Sequence, residues 1–146
     1  MRCAIVYERD AVLYIRTSSR TTDEVWIEDG PCSSMPVDSR IEEIAEAVRT
    51  ALESSKSGIP HPGRQSWGHV LDALLEAAGV KTWAVFSKTA ICLKVELEVQ
   101  LRIAPTKNLG SKGGFVEIEG KAIVLSSSAT LTEIGVGIKR ALSIAE

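Results

Sequence analysis

The stretch ICLKVELEVQLRI at positions 91–103 decides the fold. Every second residue in it is hydrophobic, from Ile91 to Ile103, and most of the residues between them are polar or charged. This period of two predicts β-structure with one buried face. The stretch exceeds the usual strand length of ~3–10 residues. It is therefore either one long bent strand or a hairpin that turns near 96–98, although no Gly or Asn marks a turn there. Pro105 is expected to end the run.

Toward the N-terminus, short apolar runs predict more strands. Residues 2–7 and 11–16 are rich in β-branched and aromatic side chains and predict two strands joined by a tight turn. The polar residues 17–24 predict a loop, and 25–27 a short strand. Residues 29–36 predict a turn, because three residues there interrupt regular structure: Gly30, Pro31 and Pro36.

Apolar residues at helical spacing predict a first helix over residues 41–53, with Asp38 or Ser39 as its N-cap. The prolines of 59–63 exclude a helix there. A second helix is expected from Ser66 to a C-cap at Gly79, followed by a short helical turn over 82–87.

The C-terminal part predicts two further strands and one helix. A glycine loop at 108–114 precedes strands at 115–119 and 121–125. Thr130 and Glu133 have the spacing of a capping box that begins the last helix. Strands in adjacent groups favour an α+β domain over residues 1–146, with a mainly antiparallel sheet and about three helices. One shared core is expected, containing Trp83, Phe86, Leu93, Val95, Leu101 and Ile138.

Composition places the chain among ordinary globular proteins, because 45% of its 146 residues are hydrophobic and 25% are charged. No apolar stretch approaches the ~20 residues of a membrane helix, and no export signal is recognised. The three cysteines, Cys3, Cys32 and Cys92, are widely spaced. Cys3 and Cys92 lie in apolar runs and are expected to be buried thiols, which fits a reducing compartment.

Charge is unevenly distributed along the chain. Residues 1–55 contain six Lys or Arg and eleven Asp or Glu, which gives a net charge of −5. Residues 56–146 contain eleven and eight, which gives +3. An acidic part of this kind is typical either of a surface that meets a basic partner or of an ordinary solvated surface.

Catalytic and metal-binding patterns are missing from the sequence. His61 and His69 lack the further ligands that a zinc site needs. The glycines of 110–114 lead into a strand, whereas a phosphate-binding loop opens a helix. We therefore expect no enzymatic activity, no metal and no cofactor. The alternative is a small nucleotide- or phosphate-binding enzyme that uses region 107–121, with Lys107, Lys112 and His61.

The second half of the chain resembles the immunity proteins of contact-dependent growth inhibition (CDI) systems. The resemblance lies in PGRQSWGHVLDALLEAAGVKTWAVFSKTAICLKVELE (62–98), SKGGFVEIEGKAIVL (111–125) and TLTEIGVGIKRALSIAE (130–146). These are packing positions rather than a catalytic signature. One departure is the absence of a glycine turn after 95–98.

This resemblance implies a cytoplasmic bacterial protein that binds and blocks the C-terminal domain of one cognate CDI toxin, commonly a nuclease. It implies a monomer in a 1:1 complex, with no direct contact to nucleic acid or membrane. A nuclease is basic around its site, so an acidic inhibitor would be steered to it. The candidate toxin-binding residues are Asp23, Glu24, Trp26, Glu28, Asp29, Glu42, Glu43 and Glu46. For the last three, a solvated helix start is an adequate alternative explanation.

Overall fold

An eight-stranded sheet organises the protein, and this computed structural model describes all residues, 1–146. Its strands are β1 (Arg2–Arg9), β2 (Val12–Thr21), β3 (Trp26–Pro36), β4 (Ser57–Ile59), β5 (Ile91–Leu97), β6 (Gln100–Asn108), β7 (Phe115–Glu117) and β8 (Ile123–Ser126). Its α-helices are α1 (Ile41–Glu53), α2 (Asp72–Ala78), α3 (Trp83–Ser87), α4 (Gly110–Gly113) and α5 (Leu131–Ile144).

The strand order β3-β2-β1-β5-β6-β7 is antiparallel throughout. Strand β8 also pairs with β6, and the short β4 runs parallel to the end of β2. The predicted α+β class with a mainly antiparallel sheet is therefore confirmed. None of the helices combines the length and the apolar content needed to cross a lipid bilayer.

Helices cover both faces of the sheet, which we call the back face and the front face. The back face carries α1 and α5, which pack on a core of 17 buried residues that includes Val6 and Ile15. The front face carries α2 and α3, which pack on a smaller cluster that includes Tyr7 and Tyr14. Consecutive residues of a strand point to opposite faces, so β1 and β2 contribute side chains to both clusters.

This division corrects the expectation of one shared core. Leu93, Val95, Leu101 and Ile138 are buried together on the back face. Phe86 is buried in the front cluster, with the half-buried Trp83 beside it. The sequence predicted apolar faces correctly, but α3 lies on the opposite side of the sheet from the inward face of β5.

The long alternating run at 91–103 is a hairpin, with β5 ending at Leu97 and β6 beginning at Gln100. Pro105 does not end the run as expected, because β6 continues to Asn108. On the outer side of β6, β8 pairs with residues 100–103 and β7 with residues 106–108. Pro105 lies between these two ladders, so its missing N–H leaves no ladder hydrogen bond unmade.

The prediction of a loop is wrong for residues 17–21, because β2 extends through them to Thr21. The prediction of a turn at 29–36 is also wrong, because β3 extends to Pro36. The polar end of β2 is buried, and its side chains find partners in the last turn of α1 and in the chain that follows it. The Thr17 hydroxyl donates to the Ala51 carbonyl at 2.7 Å, and the Ser19 hydroxyl accepts from the Lys56 N–H at 3.1 Å. In β3, Gly30 and Pro31 lie in a bulge where the register shifts, and Gly30 has a φ of 77°.

Helix ends are only partly as predicted. Helix α1 begins after Arg40, which makes no side-chain cap, so the prediction of Asp38 or Ser39 is wrong. The predicted capping box of Thr130 and Glu133 is confirmed at the start of α5. Gly79 ends α2 in the left-handed conformation, as predicted.

Gly135 of α5 touches α1 so closely that a larger residue cannot fit. A Cβ atom at this position would lie 2.5 Å from the Ile41 carbonyl oxygen and 2.8 Å from the Ile41 Cβ. Alanine normally stabilises a helix relative to glycine by ~1 kcal/mol. Here Gly135→Ala is expected to destabilise the protein instead, by about 1–3 kcal/mol, because backbone must move.

Gly137 provides the matched control, since the nearest atom to its added Cβ would be the end of the Ile103 side chain at 3.0 Å. Gly137→Ala is expected to lower the free energy of unfolding, measured by urea denaturation, by less than Gly135→Ala does. Equal stability of the two variants would contradict the close helix contact.

Candidate functional site

The front face contains the largest cavity of the protein, an open cleft of about 530 Å³. It forms because α2 and α3 cover only part of this face. Strands β1 and β5 provide its floor through Cys3, Ile5 and Lys94. A volume of this size is typical of binding clefts, which range from roughly 300 to 1,000 Å³.

All three tryptophans of the chain line this cleft. Trp26 comes from the start of β3, Trp83 from α3, and both are half-buried. Trp67 lies in a single 3₁₀ turn between β4 and α2 and is 42% exposed. Tryptophan is enriched at protein interfaces, and here three indoles surround one concavity.

Other aromatic rings pack around Trp83 and hold this side of the cleft in place. Tyr7 makes edge-to-face contacts with Trp83 and Phe115, at ring-centroid distances of 6.0 and 5.8 Å. Phe86 stacks on Trp83 at 5.8 Å. Such pairs prefer defined geometries, so the aromatic wall is formed before any partner arrives.

The charged side chains of the cleft have partners inside the protein. Glu28 accepts a hydrogen bond from the Tyr7 hydroxyl at 2.6 Å and pairs with Arg16 at 3.3 Å. Lys94 pairs with Glu96 at 2.9 Å, and Arg102 pairs with Glu117. The cleft therefore presents no unpaired charge of its own and favours an apolar group.

Burial shifts the pKa values of groups on the cleft floor. It raises the pKa of Glu28, while the hydrogen bond from Tyr7 and the charge of Arg16 oppose that rise. Burial and the neighbouring Glu28 carboxylate raise the pKa of Tyr7, so its hydroxyl stays protonated and can donate. Burial raises the pKa of the Cys3 thiol to about 11. A thiol with that pKa is neutral and a poor nucleophile near neutral pH.

Among the predicted toxin-binding residues, four lie at or beside the cleft. Asp23 and Glu24 are exposed at the tip of the β2–β3 hairpin, which adjoins the cleft at Trp26 and which we call the rim. Glu24 pairs there with Arg20 at 3.3 Å. Asp23 lies 3.7 Å from His61, whose ring contacts that of Trp67. Trp26 lines the cleft directly. The Glu28 side chain also reaches it but is only 10% exposed and is already paired with Arg16.

The other four predicted residues point elsewhere. Asp29 is half-buried and lines a separate cavity between β3 and α1. Glu42, Glu43 and Glu46 belong to α1, which covers the back face, and Glu46 pairs with Arg49 at 2.8 Å. The eight residues therefore do not form one continuous surface.

Sequence reasoning did not assign Trp67, Trp83 or Phe115 to a common site. Three separate elements carry them, and only the folded sheet brings them together. One signal was available in β1, where Cys3, Ile5 and Tyr7 alternate with Ala4 and Val6. A strand that is apolar on both sides indicates that both faces of its sheet are covered.

The glycine-rich segment considered for phosphate is engaged within the protein. Its four-residue helix α4 leads into β7. The Asn108 side-chain carbonyl accepts from the Gly110 N–H at 2.8 Å, and its amide donates to the Ser87 carbonyl at 2.6 Å. The segment thus anchors the end of α3 to the sheet.

Both histidines contact a polar side chain of the protein. His61 Nδ1 lies 3.0 Å from the Thr21 hydroxyl, and His69 Nδ1 lies 2.8 Å from the Asp72 carboxylate. No three His, Cys, Asp or Glu side chains are grouped so that they could hold a metal ion.

Comparison with known proteins identifies one family. The chain matches the family CdiI, CDI immunity protein, over residues 2–145. No curated protein is significantly similar to it in sequence. A protein of unknown function from Neisseria meningitidis has a similar structure, with a TM-score of 0.83 at 22% identity, covering 99% of this chain and 95% of that one.

A second similar structure is a chain of the CdiA-CT/CdiI toxin and immunity complex from Yersinia pseudotuberculosis. Its TM-score is 0.81 at 19% identity, and the match covers 99% of this chain and 97% of that one. At these identities the two structures establish the fold, and the family match covers nearly the whole sequence. This chain belongs to the CdiI family of CDI immunity proteins.

Proposed function

We propose that this protein binds the C-terminal domain of its cognate CDI toxin through the front-face cleft and neutralises it in the cytoplasm. The observation that carries this proposal is the group of three tryptophans around one open, charge-balanced cavity. Aromatic anchors that fill or form such pockets dominate the energy of many protein interfaces. The protein acts as a non-catalytic inhibitor, forms a 1:1 complex and needs no cofactor.

The partner segment that enters the cleft carries an apolar side chain. Every charged group in the cleft is already paired, so a charged insert would lose its hydration without gaining a free counter-ion. An apolar insert instead removes the exposed part of Trp67 from water.

Around the entrance, Asp23 and Glu24 favour a basic toxin surface. Both carboxylates are exposed, with 67% and 76% of their side chains accessible. A nuclease presents positive charge where it binds phosphates. Docking against that positive region would cover the active site or the path of the nucleic acid, which is the mode of inhibition that we propose.

Charge reversal at the rim tests this arrangement. Asp23→Lys combined with Glu24→Lys is expected to slow association with the toxin domain by about tenfold at low salt, because electrostatic steering accelerates encounter. The on-rate of the wild-type protein should fall as salt rises. Both rates are measured by stopped-flow mixing with the purified toxin domain at low and high ionic strength.

Reversal of Glu42, Glu43 and Glu46 on α1 is the matched control, since these residues belong to the layer behind the sheet. It should change the on-rate much less. If the α1 variant slows association more than the rim variant does, the toxin approaches the back face instead.

A further inference from the structure

The front wall of the cleft is a segment with few attachments, which we call the strap and define as residues 60–71. All its side chains from Gly63 to His69 are exposed. Its backbone hydrogen bonds are all local, such as those from the Ser66 N–H to Gly63 and from the Val70 N–H to Trp67. No backbone hydrogen bond joins it to the sheet.

Two side-chain hydrogen bonds tie the strap to the sheet. At one end, the Thr21 hydroxyl and His61 Nδ1 are 3.0 Å apart. At the other end, Arg16 Nη1 donates to the Val70 carbonyl at 3.0 Å. The second bond is the stronger of the two in kind, because its donor is charged and almost fully buried.

Arg16 is connected to two sides of the cleft, the strap and β3. Besides Val70, its guanidinium donates to the Gly30 carbonyl of β3 at 2.6 Å and pairs with Glu28 at 3.3 Å. Glu28 in turn accepts from Tyr7 on the cleft floor. One buried side chain thus joins β2, β3 and the strap.

Fixing Val70 also restrains Trp67, because Val70 directly ends the short 3₁₀ turn Trp67–His69, with its N–H 3.5 Å from the Trp67 carbonyl oxygen. We propose that Arg16 is a positioning residue that holds the strap, and with it Trp67, in the orientation that receives the toxin. This inference rests on the proposed function of the cleft. Arg16 itself need not touch the toxin, since its side chain is only 3% exposed.

A double variant separates positioning from folding. Arg16→Met alone would leave Glu28 buried and unpaired, which strongly destabilises proteins. Arg16→Met with Glu28→Gln removes both charges at similar volume and keeps a side-chain acceptor for Tyr7. Arg16→Lys is a second variant, which keeps the charge beside Glu28 but loses the second nitrogen of the guanidinium.

In the free double variant, we expect amide hydrogen exchange in residues 60–71 to rise about tenfold while exchange in β5 stays unchanged. We also expect toxin dissociation to accelerate by about tenfold, because a looser strap must be ordered on binding. Arg16→Lys should show smaller changes in the same direction. Arg49→Met with Glu46→Gln, which removes an exposed Arg–Glu pair on α1, should change neither quantity.

Unchanged exchange in the strap would overturn the proposal. So would faster exchange throughout the sheet, which indicates general destabilisation, or a mobile strap with unaltered toxin dissociation. If the toxin leaves residues 60–71 of the wild-type protein unprotected, the proposed function of the cleft fails as well. Hydrogen exchange in the free protein tests the attachment of the strap without toxin. It therefore separates a failure of this proposal from a failure of the proposed function of the cleft.

Discussion

Trp67→Ala is expected to weaken the complex with the toxin domain by about 2–4 kcal/mol, roughly 30- to 1,000-fold in Kd. The indole is 42% exposed in the free protein, and its only aromatic neighbour is His61 at 5.3 Å. The exposed part of its surface is therefore free to be buried against a partner. The substitution should leave the folded structure intact, because no other core element rests on this side chain.

Calorimetric titration of the variant with the purified toxin domain measures this loss, and circular dichroism checks the fold. Val136→Ala is the matched control, since Val136 is also exposed, at 54%, but belongs to α5 behind the sheet. It should bind like the wild-type protein. A Trp67→Ala variant with wild-type Kd would remove the cleft from the interface.

Leu93→Ala is expected to destabilise the protein by about 2–5 kcal/mol, the range for removing a large buried aliphatic side chain. Leu93 is fully buried in the back-face core and pairs with Val6 of β1. Removing its isopropyl group leaves a cavity between the sheet and the two longest helices. Urea denaturation of the variant and of the wild-type protein at equal concentration gives the change in the free energy of unfolding.

Val99→Ala, on the same hairpin, serves as the comparison because Val99 is 82% exposed. Its denaturation midpoint should match that of the wild-type protein within about 0.5 kcal/mol. A Leu93→Ala variant as stable as Val99→Ala would mean that β5 does not carry the core.

Elements with a strong period were predictable from sequence, and those defined by tertiary partners were not. The alternation of 91–103 predicted β-structure correctly but left one long strand and a hairpin open, because the turn at 98–99 contains no glycine. The polar residues 17–21 resembled a loop. They form a strand because the residues from Ala51 to Lys56, brought close by folding, satisfy their hydrogen bonds.

The candidate site was predictable only in part. Acidic residues and Trp26 on the β2–β3 hairpin stood out as a charged cluster around an aromatic, and of these the structure places Trp26 and Glu28 in the lining of the cleft. Charge alone could not separate these from Glu42 and Glu43. The side of the sheet on which a helix packs depends on how the chain crosses from one strand to the next, and a local sequence pattern does not determine this.

Because of the way Arg16 holds the strap, the position of this segment does not depend on the side chains that it displays. The guanidinium grips a main-chain carbonyl of Val70 rather than a side chain, so the attachment is indifferent to the residues that the strap displays. Positions 63–69 bury nothing in the core, and exchanges at such positions cost little stability. Substitutions at these seven positions can therefore change which toxin the protein binds, while the seventeen-residue core stays the same.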